Sequence, residues 1–476
     1  MLLHTPLYLL FLSAVCIVYW LLKRQILRKG LLVAASYGFY AAFDIRFALI
    51  LLGLSISTYL LGRAASGNPH PRRYTGLSIA LNLGALAYFK YSGFFLANIQ
   101  AALQGINITM PVSLQFLLPV GLSFYTFQAI SYTIELSRQK IQPAACWLDF
   151  ALYLAFFPKL IAGPFVRPAE FLQQITDPPH SLSFSDIQAS IRLLLLGLFK
   201  KVVIADSIAV LADVSFRAAT RSQANLFPMP LYLSGFYLYA IQIYADFSGY
   251  TDIARASAGL LGFALPLNFQ RPYFASSPGE FWNRWHMTLT QWFREYLFFP
   301  LSRWGLRLTH RLHPRFIQII ATMTTMIFVG LWHGAAWTYL LWGAWHGLLL
   351  VFDRWINFKP KHTWQAIAAT VVAFHLVGIG WIIFRSASLD DTWRFFVGLL
   401  SFQQIGWLPY YMTPVFFAGA LILGIDWANR SAPNHLARME ILRPILLITA
   451  LVVILGLWII QIAAQTNPSQ FIYGSF

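Results

Sequence analysis

Hydrophobic residues in this chain come in long runs, each closed by a short polar stretch. The runs approach the length a helix needs to cross a bilayer, about 20 residues. The first covers 7–22 and ends where Lys23, Arg24, Arg28 and Lys29 crowd together. Runs at about 31–43 and 47–62 follow, the second ending at Arg63, Arg72 and Arg73. The next covers about 76–97. The stretch after it, 98–114, holds no charged residue, and the run 115–135 returns to Arg138 and Lys140. Basic loops thus alternate with depleted ones, which predicts a cytoplasmic side for the basic loops and an N-terminus outside.

The middle of the chain is less regular. Residues 150–166 are apolar but broken by Pro158, Gly163 and Pro164. Broken backbone at membrane depth is tolerated only where protein or a wet cavity surrounds it, so a kinked or re-entrant pair of short helices is expected. Helices are predicted at 187–214 and 229–247, with Lys200 and Lys201 placing part of the first at an interface where lysines snorkel. Residues 303–315 carry Arg303, Arg307, Arg311, Arg315, His310 and His313, the strongest basic loop. A helix over 316–332 turns near Gly334 and returns along 336–353 to Arg354, Lys359 and Lys361. Further segments at 364–384, 411–426 and 442–464, with a short external helix near 389–400, leave the C-terminus outside as well. The expected fold is all-α and polytopic, one bundle over 1–476. No internal repeat supports an inverted-repeat transporter.

Composition strengthens this picture. The chain is 58% hydrophobic and only 11% charged, where soluble domains carry about a quarter. Its 17 tryptophans suit interfacial belts and packed helices. The net charge of +17 reflects short basic loops rather than a nucleic-acid surface, because no basic face with interleaved aromatics stands outside the apolar runs. Cys16 and Cys146 lie in apolar surroundings, which argues against a disulfide or a metal site. The first run lacks a preceding charge and is read as a retained spanning helix, not a signal peptide.

Candidate chemistry centres on "GLWHGAAWTYLLWGAWHG", 330–347, an apolar and aromatic stretch holding His333 and His346. Ionisable groups inside a bundle are functional candidates, although a neutral histidine can also serve as interhelical packing. His346 stands beside Gly343 and Gly347, a small-residue pair suited to close packing. The segment "EFWNRWHMTLTQWFREYLFFPL", 280–301, reads as one helix at about 100° per residue. Phe281, Trp285, Leu289, Trp292 and Tyr296 fall on one stripe, with Asn283, His286, Thr290 and Arg294 opposite. That pattern fits an interfacial helix with one wet face, or a polar stripe lining a channel with His286 aimed into it. Asp246, Asp252, Arg271 and Glu280 form either buried ion pairs or a polar loop, the loop being favoured. No phosphate-binding loop, dinucleotide fingerprint, nucleophile elbow or zinc-protease motif occurs. The residues therefore support two classes: an enzyme with histidine as general base, or a transporter with histidine as proton relay.

Seven ordered motifs resemble one family. They are "GLSFYTFQAISYTIE" (121–135), "FFPKLIAGPFVRP" (156–168), "GLFKKVVIADSIA" (197–209), "IQIYADFSGYTDIA" (241–254), "NFQRPY" (268–273), and the 280–301 and 330–347 stretches. Together they resemble the membrane-bound O-acyltransferases, MBOAT, and within them the bacterial branch of alginate and peptidoglycan O-acetyltransferase membrane subunits. The resemblance implies about 11–12 spanning helices around a central tunnel, in the bacterial inner membrane. By it, His333 matches the family's catalytic histidine and His286 its second polar partner. Asn283, Trp285, Trp332, Asp246 and Arg271 become substrate-binding candidates. Asn283 stands where this branch often has Arg, and Ala254 and Arg255 depart from its usual small or apolar residues. The implied donor is acetyl-CoA or another acyl thioester on the cytoplasmic side, with no bound cofactor. The implied partner is a periplasmic transferase of the SGNH, serine-esterase-like type, with the closing "PSQFIYGSF" as a docking element. D-alanyl transfer to teichoic acid from a carrier protein is the alternative within the family.

Overall fold

The computed structural model describes residues 2–66, 68, 70–106, 117–177, 181–220, 227–308, 313–428 and 452–456. Every regular element among them is helical, as the hydrophobic runs predict. Five described helical stretches are long and apolar enough to cross a membrane: Ile45–Ser66, Pro71–Gln104, Pro314–His333, Thr363–Arg385 and Ile405–Trp427. The uncharged 98–114 loop, the 303–315 loop and the 442–464 run lie partly outside the described residues, and the C-terminal motif lies wholly outside them. The chain forms two compact units, residues 1–194 with 253–266, and residues 195–252 with 267–472.

The first unit begins with α1 (Pro6–Leu21), α2 (Gln25–Ala41), α3 (Ile45–Ser66) and α4 (Pro71–Leu86), the last continuing through a π-helical turn into α5 (Ser92–Gln104). α6 (Leu122–Ser137) packs against α3 and α4. Small polar groups join these three helices. Asn82 Nδ2 donates to Thr58 Oγ1 at 3.0 Å, and the Ser78 and Thr133 hydroxyls lie 3.0 Å apart. Such bonds replace the water that a membrane interior withholds. Gly121, at φ +76°, precedes α6 where a Cβ would come within 2.7 Å of the Leu160 carbonyl oxygen, so only glycine fits.

The broken segment is broken as expected. α7 (Trp147–Ala155) stops at Phe156, α8 (Phe157–Leu160) makes one turn, and the chain runs extended to α9 (Pro168–Thr176). Sequence reading passed over Lys159 inside this break. It is fully buried, its Nζ donates to Gln128 Oε1 and, at 2.6 Å, to the Tyr153 carbonyl, and it lies over the Tyr153 and Phe171 rings.

In the second unit, a π-helical turn, Phe199–Ala205, joins the end of α10 (Phe184–Leu198) to α11 (Asp206–Thr220). Asp246 and Asp252 lie on α12 (Met229–Leu260), a 32-residue helix. The loop expectation for these carboxylates is therefore wrong: Asp246 pairs with Lys201 at 2.7 Å and Asp252 with Lys200 at 2.8 Å. Nor do the two lysines snorkel. They are 5% and 1% exposed, because Asp252 meets Lys200, and Asp246 and Asp206 meet Lys201, inside the fold.

α16 (Pro314–His333) and α17 (Trp337–Ile356) form a tight helical hairpin. A Cβ on Gly330 would reach 2.1 Å from the Tyr339 carbonyl oxygen, and one on Gly343 would reach 2.4 Å from that of Met326. Backbone against backbone is the contact that small residues permit. α18 (Thr363–Arg385) packs on α17. α19 (Leu389–Leu399) packs on α11, where Phe216 stacks on Phe395, and α20 (Leu408–Ala428) follows.

Candidate functional site

The predicted single helix over 280–301 is absent, and its failure shapes the site. The chain makes α13 (Pro278–Arg284), leaves the helix at Trp285, and turns at His286 with φ 41° and ψ 51°. It then makes α14 (Met287–Phe293), a π-helical turn Arg294–Phe298, and α15 (Phe299–Leu308). The break is held from outside. The Gln270 N–H donates to the Arg284 carbonyl at 2.9 Å and the Met287 N–H to the Asn268 carbonyl at 2.9 Å. Residues 268–270 thus supply the partners that a continuous helix would have found within itself. Histidine tolerates the left-handed region better than most residues.

The break carries His286 into the interior, where it is 1% exposed. Its Nδ1 lies 3.0 Å from Asn268 Oδ1, which also accepts from the Thr288 hydroxyl at 2.9 Å. The edge of its ring meets Phe247 of α12 at 4.7 Å between centroids. Trp332 lies at 6.1 Å and Phe269 at 6.4 Å.

His333 is the last residue of α16, 2% exposed. Trp332, Trp342 and Phe384 pack edge-to-face around it at 4.9, 5.0 and 5.1 Å. Both histidines therefore lie against one indole, that of Trp332. His346 lies on the far side of Trp342, 4.8 Å from it, and 5.3 Å from Trp282. A Cβ on Gly380 would come within 2.4 Å of His346 Nε2, so α17 and α18 close tightly over this ring.

The remaining candidates divide. Trp285 is 1% exposed among Phe269, Phe281 and Trp381, a packing position rather than a cavity wall. Asp246 is committed to Lys201, although its neighbour Phe247 touches His286. Arg271 is half-buried, left-handed at φ 49°, and gives its carbonyl to Arg284 Nη1 at 3.4 Å. Asn283 is exposed and accepts from Arg294 Nη2 at 2.8 Å.

Asn283, Thr290 and Arg294 do line a common space, but without His286. It is a cavity of about 280 Å³, walled by Trp282, Leu289, Phe293, Phe298, Met326 and Val329, with Asp353 and Arg354 from α17. The sequence reading used Arg354 only as a topological marker. An acidic and a basic residue together at the end of an apolar run were the signal for a polar rim. Asp353 Oδ2 accepts the Gly279 N–H at 2.9 Å and the Ser277 hydroxyl at 3.0 Å, tying α17 to the start of α13.

Comparison with known proteins gives this arrangement a context. The profile of the membrane-bound O-acyltransferase family, MBOAT, matches residues 136–386, which contain both histidines and the whole cavity lining. The protein named Probable alginate O-acetylase AlgI of Azotobacter vinelandii is 35% identical over 79% of this chain and 73% of its own. The Peptidoglycan O-acetyltransferase of Helicobacter pylori is 31% identical over 85% of this chain and 81% of its own. The Teichoic acid D-alanyltransferase of Streptococcus thermophilus is 28% identical over 58% and 69%. With a family profile over half its length and relatives of this extent, the chain belongs to the membrane-bound O-acyltransferase family and is an O-acyltransferase.

Proposed function

We propose that this chain moves an acetyl group from a thioester donor on the cytoplasmic side of a bacterial inner membrane, for O-acetylation of an extracytoplasmic polysaccharide, with His333 as general base. The observation that carries the reading is the position of His333. It sits at the turn between two packed helices, 2% exposed, ringed by aromatic side chains, with His286 against the same Trp332 indole. An oxygen nucleophile attacking a thioester must lose its proton, and imidazole accepts one near neutral pH. The tetrahedral oxyanion then needs donors before it collapses and expels the thiol, and an indole N–H or His286 supplies one. Trp332 and Asn283 bound the path by which substrate reaches the base, whereas Trp285, Asp246 and Arg271 support the surrounding packing from behind. Such a site brings donor and acceptor together as a positioned encounter.

A polymer acceptor is reached through a separate extracytoplasmic transferase of the SGNH, serine-esterase-like type. The alginate and peptidoglycan O-acetylases among the relatives, at 35% and 31% identity, favour acetyl transfer. D-alanyl transfer from a carrier protein is the second reading, favoured by the 28% identity to a teichoic acid D-alanyltransferase.

The test pairs chemistry with a variant. Envelope polysaccharides of cells with and without the gene are analysed for ester-linked acetyl and D-alanyl groups. His333→Gln is then introduced at matched protein level. Gln keeps volume and hydrogen bonding but takes no proton, so acyl transfer should fall by about 10²–10⁴. Wild-type activity in His333→Gln would make the residue a structural hydrogen-bonding group. Loss of D-alanyl rather than acetyl esters in the cells without the gene would select the second reading.

A further inference from the structure

We propose that the corner between α1 and α2 binds the headgroup of an anionic phospholipid, with Arg28 holding the phosphate and Lys23 and Arg24 adding charge beside it.

α1 ends at Leu21 and α2 begins at Gln25, so Leu22, Lys23 and Arg24 alone make the turn. Both cations of the turn are exposed. The helix surfaces leading to it are apolar and exposed as well: Ile17, Val18 and Leu21 on α1, Ile26 and Leu27 on α2. Apolar flanks, then Tyr19 and Trp20, then cations is the order of a helix end passing from acyl chains to headgroups. Lipid phosphates lie at that depth. The positive-inside bias gives this turn to the cytoplasmic leaflet, where anionic lipid attracts basic segments.

Arg28 is preset for such a ligand. Its Nε donates to the Leu22 carbonyl at 2.7 Å, and its guanidinium carbon lies 5.0 Å from the centroids of both the Tyr19 and the Trp20 ring. Those rings stand at 89° to one another, 5.2 Å apart. The guanidinium is thus seated in an aromatic angle and tied to the turn it serves. The Leu22 carbonyl and the neighbouring Tyr19 hydroxyl draw on only part of its five-donor fork, a fork that matches phosphate geometry.

The acceptors that could answer these cations from within the chain are engaged by other groups. Helix C-termini expose carbonyls that attract positive charge, and α9 and α12 both end here. Gln25 Nε2 donates to the Ile175, Thr176 and Asp177 carbonyls at 3.1, 3.0 and 2.9 Å, and Trp20 Nε1 donates to that of Leu260 at 3.0 Å. Neutral donors therefore cap both ends. Asp149 is taken by Lys29 at 2.6 Å. Among the described residues no carboxylate, Asp177 included, forms an ion pair with Lys23, Arg24 or Arg28. The corner keeps a net positive charge at the depth where a lipid phosphate would meet it.

The test is native mass spectrometry of the purified full chain in detergent, titrated with phosphatidylglycerol and with phosphatidylcholine of the same acyl chains. Wild type should take its first phosphatidylglycerol about tenfold or more tightly than its first phosphatidylcholine. Arg28→Gln should remove most of that preference. Because Arg28 also holds the Leu22 carbonyl, Lys23→Gln with Arg24→Gln is the second variant, and it should reduce the preference severalfold without touching a described contact. Arg72→Gln with Arg73→Gln removes the same charge from another basic turn and should leave the preference as in wild type. Equal affinity of wild type for the two lipids overturns the site. So does an equal loss in the two double variants, which would reduce the effect to net charge. Glycerol 3-phosphate bound by wild type as tightly as phosphatidylglycerol also overturns it, since the ligand is then a soluble phosphate.

Discussion

Lys201→Met should be among the most destabilising single changes in the second unit. The Lys201 ammonium lies 2.7 Å from Asp246 Oδ1 and 2.8 Å from Asp206 Oδ1, and the three side chains are 1%, 1% and 9% exposed. Methionine fits the aliphatic space and removes the ammonium's charge and its hydrogen-bond donors. Two carboxylates would then face one another at no more than about 5.5 Å, a repulsion of about 3 kcal/mol at an effective dielectric of about 20. Breaking a buried ionic network by deleting one partner costs about 3–5 kcal/mol in measured cases, in line with that figure. Lys201→Met with Asp246→Asn removes the repulsion and should recover a large part of the loss, a coupling readable from a double-mutant cycle. The assay is denaturation of purified protein in detergent, followed by intrinsic tryptophan fluorescence, with wild type, both single variants and the double compared. Lys201→Met as stable as wild type, or a double variant worse than Lys201→Met alone, would refute the claim that this pair is held as an internal network.

Two further changes test the site and the hairpin that carries it. His286→Asn should lower acyl transfer far more than stability: asparagine tolerates the left-handed backbone and partly fills the buried site, and Asn268 keeps the Thr288 hydroxyl as a partner. Equal losses of stability and activity would make His286 a structural residue. Gly330→Ala should cost about 1–3 kcal/mol by forcing α16 from α17, whereas Gly84→Ala, with nothing within 4 Å, should be neutral or mildly stabilising. Thermal melting of both proteins checks the contrast, and equal behaviour would sink it.

What the sequence could and could not disclose follows from the range of the forces involved. Apolar runs and their breaks are local, so the helices at 7–22, 316–332 and 336–353, and the interruption around Pro158, were legible from residues alone. The break at Trp285–His286 was not. It contains neither Gly nor Pro, and the buried positions 281, 285 and 289 keep helical spacing across it. What ends the helix is a pair of backbone hydrogen bonds from 268–270, a segment whose proximity only folding establishes. The lysines make the same point. A lysine in an apolar helix either snorkels or finds a carboxylate; Lys200 finds Asp252, far along the chain, and Lys201 finds both its near neighbour Asp206 and the distant Asp246. Histidine placement lies between these cases. The apolar wording around His333 predicted burial, and burial is found. The approach of His286 to the same Trp332 indole required the break that periodicity concealed. The second unit thus holds its charged residues apart by function of place. Lys200 pairs with Asp252, and Lys201 with Asp206 and Asp246, inside the fold, whereas Arg294 and Arg354 stand exposed at the cavity. A buried cation must be answered from within the chain, whereas an exposed one is answered by water.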